Sequence, residues 1–175
     1  MKKILVILLL PTILFLSCSK EADENYHVSF TVNGVAKTYT AHTLAHLQDA
    51  GGGNFELTIL GAANSTSYND YIGIYINNSP GNGAIQAGQY QDNSTSYTLL
   101  TTYENGGSES EAGHTVAQQA VIYNVPIANH FKVTITELTT NGVARGTFSG
   151  DYYKDGDVHG TKFSITNGDF YVKFQ

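Results

Sequence analysis

The chain is predicted to be all-β, an antiparallel β-sandwich of about ten strands, with a closed or partly open β-barrel as the alternative. Three observations predict it. Tyr, Thr, Val, Ile and Phe are concentrated in short segments that alternate apolar with polar residues, as half-buried strands do. Gly, Asn, Asp and Ser separate those segments, with Asn-Gly pairs at 33–34, 141–142 and 167–168 that suit tight turns. From Tyr26 onward no long period of 3.6 residues interrupts this texture.

The elements follow in order. Tyr26, Val28, Phe30 and Val32 share one face of a first strand, and Asn33-Gly34 turns it into a partner over Val35 to Thr40. Ala41 to Leu47 suits helix or strand, and the alternation of Thr43, Ala45 and Leu47 against His42, Leu44 and His46 favours the strand. Phe55, Leu57 and Ile59 alternate with Glu56 and Thr58; Ile72, Ile74 and Ile76 alternate with Tyr71, Gly73 and Tyr75. Tyr97 to Tyr103 and Val116 to Val125 are expected strands with less regular patterns. Phe131, Val133 and Ile135 alternate with Lys132, Thr134 and Thr136, and Asn141-Gly142 then leads into Val143 to Tyr153. The last pair is His159 to Thr166 and Asp169 to Phe174, where Asn167-Gly168 is either a hairpin or a bulge within one long strand.

One-sided alternation means that each sheet buries one face. Uneven strand lengths and long Gly/Asn/Ser-rich loops at 64–69, 78–83 and 104–113 favour the sandwich over an up-and-down barrel. No internal repeat appears, so residues 26–175 are read as one domain.

Residues 1–17 read as a lipoprotein signal peptide. Lys2 and Lys3 precede an apolar stretch from Ile4 to Leu16, which falls short of the roughly 20 residues a membrane-spanning helix needs. Leu16-Ser17-Cys18 resembles a bacterial lipobox, which implies acylation, as with palmitate, at Cys18. That residue is the only cysteine, so no internal disulfide can form. Residues 18–25 are then the lipidated Cys and an acidic tether, read either as a surface-export signal or as a solvated linker. Removing Lys2 and Lys3 from the 9 basic residues leaves 7 against 15 acidic ones, a formal net charge of −8. Such a body repels nucleic-acid phosphates and anionic headgroups, so the expected attachment to the membrane is through acyl chains on Cys18, with no nucleic-acid partner.

Candidate chemistry is sparse. His42 and His46 would share a strand face about 13 Å apart, too far for one metal ion. Asp151, Asp155 and Asp157 form a weak candidate for calcium, but Asp and Gly are also what a hairpin turn demands, and the spacing is not that of an EF-hand. Glu109, Glu111 and His114 lie in or beside a glycine-flanked loop that would position catalytic groups poorly. No G-x-S-x-G elbow and no phosphate-binding loop occurs. No catalytic residue and no cofactor are therefore assigned, and a carboxylate-dependent hydrolase is the least favoured reading. Twelve tyrosines and eight phenylalanines, without tryptophan, are more suggestive. Tyr71, Tyr75 and Tyr171 fall opposite the apolar face, where exposed rings could stack on a glycan or an envelope protein.

Phe30-Thr-Val-Asn-Gly34, Gly146-Thr-Phe-Ser-Gly150 and Ile165-Thr-Asn-Gly-Asp-Phe170 together carry a resemblance. The chain is similar to uncharacterised Bacteroidota lipoproteins that open with an F-x-V-N-G hairpin and close with G-T-F-S-G…I-T-x-G-x-F. The resemblance implies an all-β lipoprotein of the outer membrane or cell surface, and transfers no activity and no site residue. The expected role is a non-enzymatic binding or accessory module of the cell envelope. The alternative is a structural or assembly lipoprotein that pairs with an envelope protein.

Overall fold

The computed structural model describes residues 25–175 apart from Ser79 and Asn141, so the signal peptide, Cys18 and most of the tether lie outside the described residues. The strands are β1 (His27–Val32), β2 (Val35–Tyr39), β3 (His42–Gly51), β4 (Asn54–Ala62), β5 (Asp70–Asn78), β6 (Gly88–Gln91), β7 (Tyr97–Asn105) and β8 (Glu109–Gly113). One helix, α1 (His114–Tyr123), precedes β9 (Lys132–Leu138), β10 (Val143–Lys154) and β11 (Lys162–Lys173).

All eleven strands belong to a single antiparallel sheet, ordered β2-β1-β11-β10-β8-β7-β5-β4-β3, with β9 and β6 branching from β10. β10 is the pivot. Its first half pairs with β9, and its last residues, Tyr153 and Lys154, pair with β8. The sheet bends until β3 meets the segment after β11, where Ala45 and Phe174 form a parallel bridge and the Gln175 N–H donates to the Ala45 carbonyl at 3.0 Å. The protein is therefore all-β as expected, and of the two architectures it takes the alternative, a nearly closed barrel.

Alternation explains the interior. Val28, Phe30 and Val32 of β1, Ile72, Ile74 and Ile76 of β5, and Phe170 and Val172 of β11 all point inward and are buried. Each such side chain contributes about 1.5–3 kcal/mol on burial. Aromatic rings thread through this interior, Phe30 to Tyr103 at 5.5 Å, Tyr103 to Tyr152 at 6.3 Å, and Tyr152 to Phe131 at 5.2 Å between centroids. The Asn33-Gly34 turn has positive φ at both positions, as a two-residue hairpin of matching twist requires. Asn167-Gly168 resolves as a bulge inside one long strand, with Asn167 at φ 53 and the β10–β11 register slipping opposite, between Phe148 and Gly150.

Two sequence expectations are corrected. Val116 to Val125 is not a strand, because α1 occupies His114–Tyr123. Its β-branched and aromatic residues suggested a strand, yet Val116, Ala117 and Ala120 form its buried side and Ala-Gln-Gln-Ala favours helix. The helix ends at Asn124, whose left-handed backbone lets its N–H reach back toward Ala120 and Val121. Residues 109–113 are not part of a loop but form β8, paired with β7 from Glu104↔Glu109 to Leu100↔Gly113. Outside the main core, Val116 and Ala120 pack on Tyr153 and Val158, which fixes the helix to the outer side of the sheet.

The interior is not wholly apolar. Among the described residues the buried Tyr103 hydroxyl has no hydrogen-bond partner, and the buried Thr101 and Tyr152 hydroxyls have only each other nearby. Tyr39 donates to Asp70 at 2.5 Å, and Lys37 reaches the same carboxylate at 3.1 Å. Burial pushes the Tyr103 phenol up to about 12, and raises Tyr152 and Tyr39 further, Tyr39 with help from the Asp70 carboxylate. An unfolded tyrosine ionises near pH ~10, so the folded state binds more protons above that value and loses stability as pH rises. An alkaline titration followed by phenolate absorbance should show these three tyrosines silent until the chain unfolds.

Candidate functional site

The antiparallel register places residues from five strands in rows across the outer face of the sheet. His42, Ala62, Tyr71, Glu104 and Glu109 form one row, from β3 through β4, β5 and β7 to β8. A parallel row holds His46, Thr58, Tyr75, Leu100 and Gly113. Between them stands Gly73, which leaves room for the Tyr75 side chain. A Cβ there would lie 2.7 Å from the Tyr75 hydroxyl oxygen, because the Tyr75 ring folds back over the strand.

Tyr68, in the loop before β5, completes the cluster. Its ring packs edge-on against Tyr71 at 6.0 Å and against His42 at 5.9 Å. Tyr68 and Tyr75 are 48% and 38% exposed, and neighbouring Leu100 is 39% exposed, so the face offers rings and an aliphatic side chain to solvent. Carboxylates surround it. Burial, then Tyr75, and then Glu109, Glu104 and Glu111 all raise the Tyr71 phenol, while burial and Glu109 raise that of Tyr75. Both tyrosines therefore stay neutral donors over the physiological range.

Of the three tyrosines singled out in the sequence, the structure thus brings Tyr71 and Tyr75 together. Tyr171 lies elsewhere, on β11, with its ring 5.1 Å from that of Tyr26 and the Arg145 guanidinium 3.9 Å above it. Arg145 in turn pairs with Glu137 at 3.5 Å, so this ring is already capped by a cation from its own chain.

The weak calcium candidates separate. Asp151 is buried and its carboxylate accepts from Ser164 Oγ at 2.6 Å, Lys162 Nζ at 3.0 Å and Asn129 Nδ2 at 3.3 Å. Asp157 instead accepts the His159 N–H at 2.9 Å, and Asp155 takes the positive φ of the turn. Among the described residues no group of three or more His, Cys, Asp or Glu side chains is placed to hold a metal ion. His42 and His46 lie on a strand, as the alternation favours, and have separate partners, Tyr68 and the Gln175 carbonyl. Glu109 and Glu111 stand on the outer side of β8, within the acidic rim of the tyrosine face.

One arrangement was invisible in the sequence. Asp92, which follows β6, and His130, which precedes β9, meet because those two strands pair. Asp92 is buried, and its two oxygens accept from His130 Nδ1 at 2.6 Å and from the Phe131 N–H at 2.8 Å. The Asp92 N–H returns a bond to the Phe131 carbonyl at 3.0 Å. Two clefts flank this imidazole. One, of about 430 Å³, is lined by polar residues including Gln89, Gln91, Asn129 and Thr166; the other, of about 600 Å³, lies between α1 and the loop at Asn93 to Thr95. The only local hint is an Asp in an Asn/Ser/Thr-rich turn, which a sequence contains for many other reasons.

No family model, no curated protein and no solved structure matches this chain.

Proposed function

We propose that this chain is a lipid-anchored, non-enzymatic binding module of the bacterial cell envelope, held at the outer membrane through Cys18 and similar to Bacteroidota surface lipoproteins. The observation that carries the reading is the outer face of β5, β7 and β8, where Tyr68, Tyr71 and Tyr75 stand among Glu104, Glu109 and Glu111. Aromatic rings stack on the C–H faces of a sugar, and carboxylates accept its hydroxyls, so a glycan is the ligand class this face suits. β4, β5, β7 and β8 carry no lysine or arginine, and the carboxylates on this face favour neutral or positively charged ligands over polyanions.

Pull-down on insoluble envelope and plant polysaccharides tests this. The paired substitution Tyr68→Ala and Tyr75→Ala should lower retention at least tenfold while the thermal midpoint moves by only a few degrees. Retention unchanged by both substitutions would remove the glycan reading. The anchor is tested separately, because Cys18→Ala should abolish fatty-acid incorporation and release the protein from membranes. A Cys18→Ala protein that still carried label would refute it.

A second reading rests on β2. This strand ends the sheet, and Val35 on it is 61% exposed, so its outer edge is open to strand addition by an envelope protein. A partner lost on Val35→Pro, with the polysaccharide binding intact, would favour assembly over recognition.

A further inference from the structure

The cleft beside α1 has the makings of a second site, sharing no lining residue with the tyrosine face. Its volume of about 600 Å³ is in the range of small-molecule pockets. One wall is apolar. Val121 and Ile122, with Ala117 below them, turn toward the cleft, although Val121 is 82% and Ile122 74% exposed. A short helix on a soluble sheet normally places polar residues there, so these side chains leave apolar area uncovered.

The opposite end holds two imidazoles with different duties. His114 is committed within the protein, with Nδ1 on the Asp92 carbonyl at 3.3 Å and Nε2 on the Gln118 amide nitrogen at 2.9 Å. His130 is not. Its Nδ1 faces the Asp92 carboxylate, which accepts only, so in the neutral ring the proton sits on Nδ1 and the lone pair on Nε2. Among the described residues Nε2 has no hydrogen-bond partner, and the side chain is 31% exposed at the cleft. Asp92, itself held by the Phe131 N–H, fixes both the tautomer and the direction of the ring.

We propose that this cleft is a binding site for a small apolar molecule carrying one hydroxyl or N–H donor. The apolar body lies against Val121 and Ile122, and the donor bonds to Nε2 of His130. Asp92 is a positioning residue in this site, acting through the imidazole. The ligand class follows from the two ends together, since an apolar wall alone would take any hydrocarbon and a free acceptor alone any alcohol or water.

The test uses the full chain in lipid nanodiscs, with histidines labelled with nitrogen-15, and 2-naphthol as the probe. Long-range proton–nitrogen spectra should show His130 protonated at Nδ1. Adding 2-naphthol should shift its Nε2 resonance to saturation, whereas 2-methoxynaphthalene, which has the same body and no donor, should bind at least tenfold more weakly. Ile122→Ser, at an exposed helix position that the fold does not need, should weaken 2-naphthol several-fold, and Asp92→Asn should lose the Nδ1 tautomer. Should Asp92→Asn fail to fold, Ile122→Ser and the methoxy comparison still decide. Equal affinity for the two naphthalenes, an Nε2 resonance that does not move, or indifference to Ile122→Ser would each overturn the site. None of these outcomes bears on polysaccharide retention, so this proposal and the glycan face stand or fall separately.

Discussion

Gly146→Ala should destabilise the fold by about 3 kcal/mol or more, by the overpacking it imposes at the β9–β10 contact. A Cβ at this position would lie 2.1 Å from the Thr134 carbonyl oxygen and 2.5 Å from Cζ of Phe170. The first is backbone of β9, the second a fully buried ring of β11, and neither can swing away. The sign is the informative part. In an open strand, alanine for glycine commonly stabilises by about 0.4–1 kcal/mol through the unfolded chain. Gly34 supplies a contrast, because its added Cβ would meet nothing within 4 Å and only its φ of +83° is strained. Gly34→Ala should therefore cost only about 1 kcal/mol. Urea unfolding of the two variants checks the comparison, with a much lower midpoint for Gly146→Ala and an unchanged slope for both.

Asp151→Ala is the second large effect, expected at about 2–4 kcal/mol. The Asp151 side chain is fully shielded from solvent, yet Lys162, Ser164 and Asn129 all converge on it. It therefore ties the end of β10 to the start of β11 and to the segment entering β9. Alanine would leave the Ser164 hydroxyl and the Asn129 amide without their acceptor, while Lys162, whose side chain is half-exposed, returns to water. Asp151→Asn keeps the shape and one acceptor, so it should cost distinctly less. The same carboxylate holds the Lys162 ammonium above its ordinary range, and both variants should lower it, as nitrogen-15 titration of the lysine would reveal. If alanine and asparagine proved equally mild, Asp151 would be a bystander.

These two residues show what a sequence can and cannot disclose. The strands were legible because alternation is local: Ile72, Ile74 and Ile76 announce their inward face without reference to any other segment. The Gly-Thr-Phe-Ser-Gly run at 146–150 was legible as part of the strand from Val143 to Tyr153, but the reason for Gly146, a neighbouring carbonyl and a phenylalanine ring, belongs to other strands. Helix α1 was missed because half its residues prefer strands and only three of them are buried. The outward placing of Tyr71 and Tyr75 followed from period two, but their company did not. Glu104, Glu109 and Glu111 gather beside them only once β5, β7 and β8 lie in register. The Asp92–His130 pair spans 38 residues and depends on β6 finding β9, information that no window along the chain contains. The barrel was the lesser expectation for the same reason, since closure rests on Ala45 meeting Phe174.

The pairing of β1 with β11 has a consequence in time rather than in space. His27 lies opposite Tyr171 and Val32 opposite Ile165, so of the described strands the first to leave the ribosome waits for the last. Contacts of such sequence separation close slowly, because the loop entropy between them is lost before the contact rewards it. Until β11 emerges, the backbone of β1 has only its hairpin partner β2 to pair with. Refolding from urea should accordingly be a slow single phase, and truncation before Lys162 should leave a chain that does not fold at all.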